Sequence, residues 1–432
     1  MKILILGAGR VGQSVAETLA SEANDITIID PDPERLRGLE ERLELRGVAG
    51  NGVQPSVLRH AGADDCDLFI ACADLDATNL VACKVAHDVF GIPTTIARLR
   101  LPDFRQDDRL LGPEGFAVSR VICPEASVTR TIQELIEHPE ALQVLQFSQG
   151  RAHLVAVYRR DEETPCEADT RVLAGDEVFV LVAREHVQAA LAAIGPREPP
   201  VRRVMIAGGG KVGLGVARSL IGQCEVKLIE KQRGRCRYLA GELPGDMLVL
   251  QGDAADEELL AAEHVGDMDL FISLTSDDED NIMSAMLAKR MGARRVMALI
   301  NRRAYAEMMQ ASPIDIIISP ADAVIGELLA HVRRGAVAAV HSLRRGVAEA
   351  LEGVAHGDAR TSRLVGRRIE QLALPAGARV GAIVRGEGDA GRVLVPHHDT
   401  VIEEGDHVII FVPHKRLLPQ VEKLFQVRAT FF

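Results

Sequence analysis

The chain repeats itself, and that repeat restricts the possible folds more than any other feature. KILILGAGRVGQSVAETLA, close to the first residue, returns as RVMIAGGGKVGLGVARSLI from position 203. ITIID, ending at Asp30, returns as VKLIE, ending at Glu230, and DLFIACADLDATN (67–79) returns as DLFISLTSDDEDN (269–281). TTIARLR (94–100) has its counterpart in RVMALIN (295–301), so the offset stays between 200 and 202 through more than ninety residues. Register kept over that length marks a duplicated domain.

Within each copy, short runs of Ile, Leu and Val alternate with segments whose apolar residues fall at helical spacing, such as Val15 and Leu19 or Leu80, Val81 and Val85. Strand–helix alternation predicts a doubly wound parallel sheet of Rossmann-like α/β type in each copy. Helices are expected next, over 127–137 and 321–333. A smaller unit then repeats at a different offset, 230: ADTRVLAGDEVFVLV (168–182) resembles HDTVIEEGDHVIIFV (398–412), and each leads into a short helix. The segment 195–203, GPREPPVRR, reads as an extended linker because its prolines lack the N–H that helix or ladder needs. The expected organisation is a nucleotide-binding domain at 1–125, a small α+β domain at 126–195, a linker at 196–203, a second nucleotide-binding domain at 204–320, and a connecting helix with a second small domain at 321–432.

Gly7-Ala8-Gly9-Arg10-Val11-Gly12 is a GxGxxG loop between strand and helix. The first glycine permits the tight turn, the second lets backbone approach a pyrophosphate, and the third lets helix and strand pack closely. The helix N-terminus offers free N–H groups to phosphates. Asp30 stands where a carboxylate would receive ribose hydroxyls and repel a 2′-phosphate, favouring NAD(H) or an adenosine nucleotide over NADP. Arg10 lies where a guanidinium could reach phosphate. The second loop, Gly208-Gly209-Gly210-Lys211-Val212-Gly213, has Glu230 as its acid. Asn51 and Gly52, with Gly252 and Asp253, follow the third strands; Ala73 and Asp74, with Thr275 and Ser276, follow the fourth. Ligands of open parallel sheets bind beyond these strand ends, so these residues are candidate cleft linings. Arg98, ending a fifth strand, is a candidate phosphate contact whose counterpart is apolar or Asn301. The acidic run 277–280 reads as a turn and helix start, with Glu279 as a further cleft candidate.

Other features exclude function classes. A net charge of −12, three Tyr, eleven Phe and no Trp argue against a nucleic-acid surface. Seven scattered cysteines without a CxxC pair read as buried apolar residues rather than a metal cage or disulfide framework. His397, His398, His407 and His414 lack metal-site spacing and read as exposed histidines around a turn. The glycine loop arrives too early for a signal peptide, and no stretch approaches the roughly 20 apolar residues of a membrane span. A cytoplasmic protein is expected.

GAGRVG with Asp30, GGGKVG with Glu230, the DLFI…N blocks, NRRAY at 301–305 and the tail segment LVGRRIEQLALPAGARVGAIVRG are together more specific than a dinucleotide fingerprint. On them the chain resembles, over nearly its full length, the peripheral regulatory subunits of Trk-type bacterial potassium uptake systems. The resemblance implies two RCK (or KTN) nucleotide-binding domains, each followed by a small RCK C-terminal domain, and no catalysis. It implies NAD(H), and also ATP or ADP, as ligands. It implies a ring of paired domains in a homo-oligomer, docked on a Trk-type potassium transporter at the inner face of the membrane. One departure stands out: the first small unit keeps ADTRVLAGDEV but has no counterpart of LVGRRIEQLALPAG. The rival readings are an NAD-dependent oxidoreductase, and a regulator of a different cation channel or antiporter. The oxidoreductase would need a substrate domain where this chain carries a second cofactor-type fold, and no catalytic constellation of His, Lys or Asp is apparent.

Overall fold

The computed structural model describes all residues except 21–23, 106–107, 142, 148–151, 158–177, 195–197, 310–311, 333–336, 344–347, 387–390 and 428–432. They divide into two compact units: Met1–Ser127 with Ala323–Leu328, and Val128–Asp322 with Leu329–Phe432.

The first unit contains β1 (Lys2–Leu6), β2 (Asp25–Asp30), β3 (Arg46–Ala49), β4 (Leu68–Ala71), β5 (Thr94–Arg98) and β6 (Arg120–Ile122). They form one parallel sheet in the order β3-β2-β1-β4-β5-β6. Ile3, Leu4, Ile5 and Leu6 are all buried, as are the four residues of β4. An apolar run without alternation can only be satisfied by helices on both faces, which is why these segments become central parallel strands. The order reverses between β1 and β4, and the glycine loop leaves β1 at that crevice.

The second unit holds three antiparallel strands, β7 (Gln143–Phe147), β8 (Ala152–Val157) and β9 (Val178–Ala183). It then repeats the parallel sheet with β10 (Arg203–Ala207), β11 (Glu225–Glu230), β12 (Leu248–Gln251), β13 (Leu270–Ser273), β14 (Arg295–Leu299) and β15 (Ile316–Ile318). Their order, β12-β11-β10-β13-β14-β15, matches the first sheet. Residues 198–202 of the expected linker carry neither helix nor strand, but Arg203 already belongs to β10. The two connecting helices run Pro124–Glu137 and Pro320–Val332. Each starts on a proline, whose fixed φ and missing N–H suit the first helical position.

A five-stranded antiparallel sheet closes the chain: β16 (Val337–Leu343), β17 (Ala348–Val354), β18 (Arg379–Arg385), β19 (Arg392–Leu394) and β20 (His407–Val412), ordered β16-β17-β20-β18-β19. Of the first repeated small segment, 168–177 lies outside the described residues; 178–182 is in β9. The two small sheets share one core. Phe147, with Phe179 and Leu181, packs among Leu343, Ala348, Ala350, Ala382, Val384, Ile409 and Phe411. The Phe147 ring meets His341 edge-on at 4.6 Å. His407 corrects the expectation of turn histidines. It lies in β20, half-buried, with Nδ1 2.5 Å from Glu352 Oε1, while His397 and His398 are exposed.

Cys66, Cys72, Cys83 and Cys123 are buried, and burial pushes the Cys72 thiol up to about 12, so it stays protonated and apolar. Cys166 lies outside the described residues. No described helix is long and apolar enough to cross a membrane.

Candidate functional site

Both glycine loops adopt the same geometry. Gly7 (φ +101°) and Gly208 (φ +104°) occupy the left-handed region that side chains rarely adopt, and their N–H groups donate to Ile29 O (2.7 Å) and Ile229 O (2.8 Å). A Cβ on Gly12 would overlap the Gly7 carbonyl oxygen, and one on Gly213 would overlap that of Gly208. These glycines bring helix against strand. Gly9 and Gly210 differ: a Cβ there would meet nothing within 4 Å. Their need for glycine does not come from the protein's own packing.

Directly behind that open space begin the helices Arg10–Ala20 and Lys211–Ser219. The first intrahelical bonds run from Gln13 N to Gly9 O (2.9 Å) and from Leu214 N to Gly210 O (3.0 Å). The N–H groups of Arg10, Val11 and Gly12, and of Lys211, Val212 and Gly213, therefore have no partner within their helix and point past its end. The positive end of the helix dipole adds to them. Arg10 and Lys211 are exposed at the mouth. The arrangement suits the phosphates of a nucleotide.

The two acids hold the loops as well as facing the cleft. Asp30 Oδ2 accepts from Ala8 N (2.7 Å) and Oδ1 from Asp32 N (2.9 Å). Glu230 Oε2 accepts from Gly209 N (3.0 Å) and Oε1 from Gln232 N (2.8 Å). Glutamate is longer by one methylene, and the residue it grips has lost its side chain: a Cβ on Gly209 would run into Leu239 and come within 3.1 Å of Glu230 Oε2. The pairs Ala8–Asp30 and Gly209–Glu230 are two solutions to one spacing problem. A carboxylate offers about four lone-pair sites, so each acid keeps acceptor capacity for ribose hydroxyls.

The other candidates divide by role. Asn51 Oδ1 accepts from Val53 N (3.2 Å), shaping the turn after β3. Gly52 and Gly252 are required for packing, since a Cβ would collide with Leu6 and Leu259 respectively. Asp253 accepts from Ala255 N (3.0 Å) and Lys231 Nζ (2.8 Å), and the Lys231 bond is the main reason its carboxyl sits below the usual range. Asp74 is largely exposed, 3.8 Å from Arg100. Ser276 is exposed. Arg98 is buried, with Nη2 3.5 Å from Glu125 Oε1, and Arg100 Nε approaches the same oxygen at 3.2 Å. Its guanidinium thus faces a carboxylate, and a phosphate there would have to compete with Glu125. Glu279 pairs with Arg302 (2.8 Å) and accepts from Tyr305 OH (3.0 Å), which ties it to the NRRAY segment.

Sequence reading missed the clasp that shapes the cleft floor. Asn79, fully buried, accepts from Ala73 N (2.8 Å) and donates to Ala73 O (3.0 Å) and Arg98 O (2.8 Å). Asn281 does the same with Thr275 N (2.8 Å), Thr275 O (3.1 Å) and Leu299 O (2.8 Å), and also accepts from Thr275 Oγ1 (2.8 Å). Three residues earlier, Asp76 accepts from Arg100 N and Leu101 N, and Asp278 from Asn301 N and Arg302 N, all at 2.9 Å. The Asp-x-x-Asn pattern, present in both copies, was the available signal. Asn281→Ala would strand several main-chain groups, each costing about 1–3 kcal/mol when buried unpaired. We expect a loss of ~2–4 kcal/mol by urea denaturation; a loss below ~1 kcal/mol would remove the clasp from the account.

Residues 3–124 and again 204–320 match the TrkA-N domain family, and residues 359–426 match the TrkA-C domain family. The Trk system potassium uptake protein TrkA of Halomonas elongata is 46% identical, and that of Haemophilus influenzae 43% identical, each alignment covering 100% of both chains. Among solved structures, the GsuK RCK domain superposes with a TM-score of 0.61 at 18% identity, covering 98% of this chain and 94% of that one. The GsuK channel bound to NAD gives 0.62 at 18%, covering 98% and 79%. The structures share the fold. Matches that extend through both repeats and the tail, at such identity over the full length, place this chain in the TrkA family of Trk system potassium uptake proteins.

Proposed function

We propose that the chain is a nucleotide-sensing regulatory subunit that controls a Trk-type potassium transporter in the membrane and catalyses no reaction itself. The observation that carries the reading is the open space at Gly9 and Gly210, bounded by helix N-terminal N–H groups and by an acid fixed at 30 or 230. These residues fit NAD(H), and equally the shared adenosine diphosphate part of ATP or ADP. Arg10, Val11 and Gly12, with Lys211, Val212 and Gly213, would hold phosphates; Asp30 and Glu230 would hold ribose. The names of the full-length relatives supply the potassium system.

The mechanism is a shift of population. Copies of the chain assemble as a ring on the cytoplasmic side of the transporter, and nucleotide in the clefts favours one arrangement of the ring. Moving such an equilibrium from 1:99 to 99:1 takes about 5.5 kcal/mol of differential binding, which several modest sites supply together. The test is rubidium uptake by cells that depend on this system. Gly9→Glu or Gly210→Glu, expressed at the unmodified level, should change the uptake rate severalfold. Normal uptake with both substitutions combined would contradict a regulatory role for the clefts.

A further inference from the structure

The two clefts share a loop but differ in charge beside it. In the first, the segment from the end of β2 carries Asp30, Asp32 and Glu34 against Arg35 and Arg37, a net charge of −1. Both arginines are paired there, Arg35 with Asp32 (3.3 Å) and Arg37 with Glu34 (2.7 Å). In the second, the same eight positions carry Glu230 against Lys231, Arg233, Arg235 and Arg237, a net charge of +3. That is a reversal of four charges at the place where this fold meets the ribose on the adenine side of a dinucleotide.

One of these cations is held in position. Arg235 Nε donates to Gly209 O (2.7 Å), inside the glycine loop, and its guanidinium lies 4.6 Å over the Tyr238 ring. Those contacts fix the side chain against the loop, and its two terminal amino groups have no other partner among the described residues. A planar guanidinium with two donors on one side matches a phosphate group. Glu230 is the obvious objection, since an acid at this position repels a 2′-phosphate. Its two oxygens, however, already receive Gly209 N and Gln232 N, and the four cations at 231, 233, 235 and 237 outnumber it, even with Lys231 paired to Asp253.

We propose that the second cleft, unlike the first, takes a dinucleotide bearing a phosphate on its adenine-side ribose, with Arg235 as the residue that reads that phosphate. The inference rests on the reading of both clefts as nucleotide sites. It is tested by calorimetric titration of NADPH and NADH into the full chain carrying Gly9→Glu, which leaves only the second cleft open. NADPH should bind at least as tightly as NADH. Adding Arg235→Gln should weaken NADPH tenfold or more and NADH less than threefold, and Arg235→Lys, which keeps the charge but loses the planar fork, should give an NADPH affinity between those of the unmodified residue and Gln. NADH binding tenfold tighter than NADPH, or equal losses of both with Arg235→Gln, would overturn the inference and leave the nucleotide reading standing. Heat from neither ligand would overturn both.

Discussion

Gly213→Ala should destabilise the second parallel sheet severely, while Gly210→Ala, in the same loop, should leave stability unchanged. The added carbon at 213 would overlap the Gly208 carbonyl oxygen. That carbonyl cannot retreat easily, because Gly208 is already in the left-handed region and its N–H is bonded to Ile229 O. Overpacking against a mobile side chain costs about 1–3 kcal/mol, and here the obstacle is backbone. A loss of ~3 kcal/mol or more is expected, lowering the melting temperature by about 6–12 °C. The carbon at 210 enters open space. A Gly213→Ala chain that melts with the unmodified protein would show that helix Lys211–Ser219 does not need its close approach to β10.

The second large effect concerns binding. Gly9→Glu and Gly210→Glu should each abolish nucleotide binding in their own cleft, by at least ~100-fold, or about 2.7 kcal/mol. The glutamate carboxylate would lie in front of the first-turn N–H groups, bonding to them in place of phosphate and repelling any phosphate that approached. The Cβ at each position meets nothing within 4 Å, so the melting temperature without ligand should not fall. Loss of folding together with binding would mean that these glycines serve packing after all.

Much of this site could be read in the sequence because it is made of local features. A glycine turn, the helix it opens and the acid ending the next strand are close in the chain, and duplication displays each of them twice. The parallel sheets follow from uninterrupted apolar runs such as ILIL at 3–6 and LFIA at 68–71, buried on both faces. Features set by distant partners were not legible. Arg98 at a strand end looks the same whether it faces a phosphate or, as here, Glu125 from the first turn of the helix Pro124–Glu137. The shared core of the small sheets depends on which faces meet, and the sequences of β9 and β17 do not say what covers either face. The sequence places Asp30 where ribose would be met, and does not show the bond to Ala8 N that also makes it part of the loop's support. Asn79 and Asn281 stand at matching positions of the repeated block, and only their bonds to Ala73 and Thr275 give them a role.

The central claim is that two nucleotide clefts report to one conformational equilibrium. Calorimetric titration of NADH into the unmodified chain, Gly9→Glu and Gly210→Glu tests it most directly. The account predicts nucleotide binding in the unmodified chain, loss of one class of site in each variant, and a changed affinity at the cleft that survives. Coupling free energy is reciprocal, so blocking either cleft must shift the other by the same factor. Identical titrations in all three chains, or a surviving site whose affinity is unmoved in both variants, would contradict it.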